Sequence, residues 1–153
     1  MTPTILIVDD HAAFRVGVRA LLAVDGYDVV GEAADGAAGL QAATELRPDV
    51  ILLDVRLPDM DGFQVAGALA ARGSTAAVVL TSSSDDPLYP ERATCCGARG
   101  FVAKHDVGLQ LGGGLQAGGS VGGLAHDVVA VDREQRAHAD AKRGVVVDYQ
   151  DSG

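Results

Sequence analysis

The sequence predicts an α/β fold built on a doubly wound, five-stranded parallel sheet. Three observations predict it. Four short runs are apolar from end to end, as strands buried on both faces must be, and a fifth, Tyr27 to Gly31, is largely so. Segments with helical spacing of apolar residues separate them, and that alternation builds a parallel sheet. The chain has 153 residues, enough for one such domain and a tail.

The elements follow in order. Ile5-Leu6-Ile7-Val8 is a continuous apolar strand that stops at Asp9. From Ala12 to Val24, Phe14, Val18, Leu21 and Leu22 fall on one helix face, and Gly26 breaks that helix. Tyr27 to Gly31 reads as a second strand, and Ala37 to Leu46 as an alanine-rich helix ended by Pro48. Val50-Ile51-Leu52-Leu53 is the third strand, stopping at Asp54. Phe63 to Ala71 is a helix that ends near Gly73, and Ala77-Val78-Val79-Leu80 a strand that stops at Thr81. A fourth helix covers Glu91 to Cys96, with Pro87 and Pro90 expected to interrupt its start. Phe101-Val102-Ala103 is the last strand, stopping at Lys104.

Composition narrows the function. Twelve basic against 21 acidic side chains leave a net charge of −9, which disfavours nucleic acid and anionic membranes as partners. Val107 to Ala125 is an uncharged stretch, but its eight glycines and two glutamines exclude a membrane span. The N-terminus carries no signal-peptide pattern, so a cytoplasmic protein is expected. Cys95 and Cys96 are adjacent, a spacing that strains a disulfide, and are expected to be reduced and buried. Lysine occurs only at Lys104 and Lys142.

In doubly wound sheets, ligands bind beyond the carboxyl ends of the strands. Here those ends carry Asp9-Asp10, Asp54, Thr81 and Lys104. In the common order 2-1-3-4-5 they would converge on one cleft. Taken singly, Asp10 reads as a helix N-cap, Thr81 as a turn hydroxyl and Lys104 as a solvated lysine. Taken together, three carboxylates need a cation, and oxygen ligands suit Mg²⁺. A carboxylate beside Mg²⁺ can accept a phosphoryl group, with the hydroxyl and the ammonium holding its other oxygens.

The stretches ILIVDDHAAFR, DVILLDVRLPDMDG, VVLTSSSDD and GARGFVAK resemble the bacterial two-component response-regulator receiver domain, a flavodoxin-like fold. The resemblance covers nearly all of residues 4–104. The DDH opening and the segment around Gly97 to Phe101 resemble the NarL-like branch, whose members usually carry a helix-turn-helix. The resemblance implies that Asp54 is the phosphoacceptor and that Asp9, Asp10, Asp54 and the backbone carbonyl of Arg56 hold Mg²⁺. It implies that Thr81 and Lys104 contact the phosphoryl group and that Phe101 is a switch aromatic, the plain alternative being a half-buried strand residue. Pro58 and Gly62 match the loop after the acceptor, where glycine would permit a positive φ. The implied partner is a sensor histidine kinase or a phosphotransfer protein, with a phosphorylation-dependent homodimer as a further option. In many receivers a proline follows the lysine; here His105 does.

The domain is expected to span residues 1–119. Val107, Leu111 and Leu115 keep the spacing of a fifth helix, but Gly112-Gly113-Gly114 makes it weak. Residues 120–153 read as a tail, with a short polar helix over Asp132 to Arg143 and a lone strand over Gly144 to Tyr149. No DNA-binding domain is recognisable there, as though an output domain were missing or the frame had shifted. Three functions follow: a phosphorylation switch that changes its α4–β5–α5 face, an aspartyl-phosphate hydrolase, and a receiver-like module that is never phosphorylated. The hydrolase would place its two Asp residues two apart after the first strand, whereas Asp9 and Asp10 are adjacent. A switch of this kind is no ordinary enzyme, since it catalyses only its own phosphorylation and a slow dephosphorylation.

Overall fold

The computed structural model describes residues 2–24, 26–84 and 86–104. The elements are β1 (Thr4–Val8), α1 (Ala12–Val24), β2 (Asp28–Ala33), α2 (Gly36–Leu46), β3 (Val50–Asp54), α3 (Gly62–Ala71), β4 (Ala77–Ser82), α4 (Tyr89–Cys95) and β5 (Gly100–Ala103). The strands are parallel and lie in the order β2-β1-β3-β4-β5, as expected. The fifth helix, the tail helix and the lone strand fall outside the described residues.

Successive strand residues point to opposite faces, so a strand apolar throughout feeds two cores. Leu6, Val8, Ile51, Leu53, Val78 and Leu80 pack under α2, α3 and α4. Ile5, Ile7, Val50, Leu52, Ala77 and Val79 pack on the other side, against Val18 and Leu22 of α1. This double burial is why the central strands carry no alternating polar residues.

Helix ends follow local chemistry. The Asp35 side chain caps α2 by accepting from Ala38 N at 2.7 Å. Asp61 and Gln64 form a reciprocal capping box at the start of α3. α2 ends on Arg47 in the left-handed region (φ 46°, ψ 58°), with its N–H donating to Ala43 O. The following Pro48 disfavours a right-handed helical conformation at Arg47, so the helix leaves there.

Three expectations are corrected. Pro90 does not interrupt α4 but sits in its first turn, where a missing N–H costs no helical bond. Cys95 is exposed and Cys96 only half-buried, because α4 turns Tyr89 and Ala93 inward instead. Gly62 does not have a positive φ. Glycine is required there because a Cβ would collide with the carbonyl oxygen of Asp54 and come within 2.9 Å of Val55 Cα.

Candidate functional site

The strands deliver the predicted side chains to one edge. β1 runs out into Asp9 and Asp10, β3 ends in Asp54, β4 carries Thr81 and β5 leads to Lys104. The ladder extends further than the apolar runs suggested, because Asp54 and Thr81 are themselves register partners. Asp9, Asp54 and Thr81 are buried, and Asp10 is exposed.

Lys104 brings the acids together. Its Nζ lies 2.6 Å from Asp9 Oδ2 and donates to Asp54 Oδ2 at 3.1 Å. It also stands 4.6 Å above the Phe14 ring, which shields its other side. One cation between buried carboxylates is not enough. Burial first, and then the charge of Asp9, push the Asp54 carboxyl from 3.8 up to about 6, against the pull of Lys104 and of the Arg56 N–H. Thr81 Oγ1 is buried and has no hydrogen-bond partner among the described residues.

Ligand atoms of Asp9, Asp10, His11 and Asp54 lie within 4.8 Å of one another. The three carboxylates, short of positive charge, fit a hard divalent cation. The loop after Asp54 is held tightly. Arg56 N–H donates to Asp54 Oδ1 at 3.3 Å, Gly62 N–H donates to Val55 O at 2.7 Å, and Arg56 bridges to Asp61. Phe101 is half-buried, its ring centroid 5.7 Å from that of Tyr89.

Three contributors went unread in the sequence. Arg15 Nη1 donates to the backbone oxygen of Asp9 at 2.6 Å and so supports the acidic turn. Asp59 accepts from Gly36 N and Ala37 N at 2.7 and 2.9 Å, which ties the loop to the first turn of α2. Those two N–H groups hold the Asp59 carboxyl below its ordinary range. His11 sits against both Asp9 and Asp10. Its place in the DDH run was a usable signal; Asp59 gave none, since its partners lie in another element.

A doubly wound sheet of this order, with acids, a hydroxyl and a lysine at its carboxyl edge, has the layout of a signal receiver. The chain belongs to the response regulator receiver domain family, which matches residues 5–108. It is 39% identical over 134 residues to the "Probable transcriptional regulatory protein NarL" of Mycobacterium tuberculosis, an alignment covering 81% of this chain and 62% of that protein. It is 36% identical over 102 residues to the transcription regulator BvgA of Bordetella pertussis, covering 67% of this chain and 49% of BvgA. The chain thus spans about half to three fifths of these relatives' length. The signal receiver domain of NarL from Mycobacterium tuberculosis superposes with a TM-score of 0.65 at 43% identity, covering 67% of this chain and 84% of that one. The chemotaxis response regulator CheY4 of Vibrio cholerae gives 0.63 at 30% identity, covering 68% and 88%. Among the described residues, no helix is long and apolar enough to cross a membrane.

Proposed function

We propose that Asp54 accepts a phosphoryl group from a phosphohistidine of a sensor histidine kinase or phosphotransfer protein, and that the domain then changes its α4–β5–α5 face. The observation that carries this reading is Asp54 lying 3.1 Å from Lys104 Nζ, beside Thr81 and within one cluster with Asp9 and Asp10. Asp9, Asp10, Asp54 and the backbone carbonyl of Arg56 would hold Mg²⁺. The metal, when bound, supplies positive charge to the carboxylates and to the phosphoryl oxygens.

The chain's own residues do the rest. An Asp54 carboxylate oxygen attacks phosphorus; a P–O bond forms, the P–N bond breaks, and its electron pair leaves with the imidazole nitrogen. Lys104 Nζ moves from Asp54 Oδ2 onto a phosphoryl oxygen. Thr81 Oγ1 donates to another, which gives its unpartnered hydroxyl a bond. Water later attacks phosphorus slowly and returns Asp54 and phosphate. Thr81's movement lets Phe101 turn inward. In this reading the receiver spans residues 1–119. Phosphorylation would let two copies of the domain pair through the switched face.

Mass spectrometry after incubation with acetyl phosphate and Mg²⁺ tests it. The expected result is a labile gain of one phosphoryl group that Asp54→Asn lacks. A folded protein with no gain overturns the reading.

A further inference from the structure

His11 has no part in the phosphoryl chemistry above, yet it stands in the acidic cluster. Its Nδ1 lies 3.0 Å from Asp10 Oδ1 and 3.2 Å from Asp9 Oδ1. Its backbone is fixed on both sides. The N–H donates to Asp9 Oδ1 at 2.8 Å, and the carbonyl accepts from Arg15 N at 3.1 Å at the start of α1. The imidazole therefore emerges from an anchored main chain, while its side chain is 67% exposed and free to adjust. Beside Asp54 in the strand register, the buried Thr81 Oγ1 has no hydrogen-bond partner among the described residues.

We propose that His11 is a metal ligand through Nδ1 and that it makes this site favour borderline divalent ions such as Ni²⁺ over Mg²⁺. The proposal rests on the reading that Asp9, Asp10 and Asp54 hold a divalent cation. Its chemistry is simple. Mg²⁺ keeps to oxygen donors and retains several waters, so an added imidazole changes its binding little. Ni²⁺ gains from a nitrogen donor, in line with the general order of divalent affinities. A nitrogen within reach of three carboxylates thus widens the gap between the two ions.

Isothermal titration calorimetry of the full chain with NiCl₂ and with MgCl₂ separates the possibilities. His11→Ala is expected to weaken Ni²⁺ binding by about tenfold or more and Mg²⁺ binding by less than about twofold. His11→Asn, which restores a polar side chain without the nitrogen ligand, is expected to behave like His11→Ala. An unchanged Ni²⁺/Mg²⁺ ratio in both variants, with Mg²⁺ still bound, overturns the role of His11 alone. So does a parallel rise in both affinities, since His11 would then be a cation standing in for the metal. Ni²⁺ binding that is unchanged in a folded variant with Asp9→Ala, Asp10→Ala and Asp54→Ala combined also overturns it, because the ion would sit elsewhere. If neither ion binds the unmodified chain, the cation site itself falls, and the proposal with it.

Discussion

Asp54 combines two demands that conflict at the level of a single side chain. A nucleophile must be ionised, but burial and the neighbouring Asp9 hold its carboxyl up at about 6 in the metal-free state. A carboxyl raised in the folded state binds its proton more tightly there than in the unfolded chain. Its stabilising contribution is fully present below about pH 4 and is lost as pH rises through about 6. Asp54→Asn is neutral throughout and escapes that loss. Thermal melts in a chelator should therefore show the variant gaining on the unmodified chain by a few degrees between about pH 4 and about pH 7. The slope with pH is the test, because the variant also alters the bond from Lys104 by a constant amount. A gap that stays the same across that range would contradict the raised value. Added Mg²⁺ should narrow the gap at the upper end, since it binds only the folded chain that keeps Asp54.

At the scale of the elements, one pair of glycines in α3 shows how far local sequence can mislead. Gly62 and Gly67 look alike in the sequence, and both begin or occupy a helix. A Cβ at Gly67 meets nothing within 4 Å, so Gly67→Ala should stabilise by about 1 kcal/mol through helix propensity. A Cβ at Gly62 meets the backbone of Asp54 and Val55, which cannot yield as a flexible side chain would. Gly62→Ala should cost about 3 kcal/mol and disturb the acceptor loop. Urea denaturation of the two variants checks both signs. The strands and their order were legible in the sequence, since apolar runs ending in Asp9, Asp54, Thr81 and Lys104 express both the sheet and its edge. The Asp59 bonds to Gly36 and Ala37 were not, because nothing in one segment announces a partner in another. The role of Gly62 was misread for the same reason: its close approach to Asp54 exists only once the loop has folded back. Pro90 was misread because a proline breaks a helix or begins one according to a boundary that the sequence leaves vague.

Across the whole molecule, the site and the outer helices are joined by aromatic rings. Phe101 on β5 lies next to the strand that carries Thr81, with Leu80 as its register partner. Its ring is 5.7 Å from Tyr89 on α4, and Tyr89 is 5.6 Å from Phe63 on α3. The Arg92 guanidinium caps this row, 4.1 Å above Phe63. Tilted ring pairs of this kind contribute about 1 kcal/mol each beyond the area they bury. An inward turn of Phe101 would forfeit its contact with Tyr89 and loosen the inner face of α4. On the proposed function, phosphoryl uptake at Asp54 should then change amide hydrogen exchange over Tyr89 to Cys95. In Phe101→Leu that change should shrink or vanish, while mass spectrometry still shows the phosphoryl group on Asp54. Leucine keeps an apolar residue at a half-buried position, so the variant should fold at a cost of about 1 kcal/mol. An α4 response equal in the variant and the unmodified chain would mean that the signal reaches α4 by a route that bypasses Phe101.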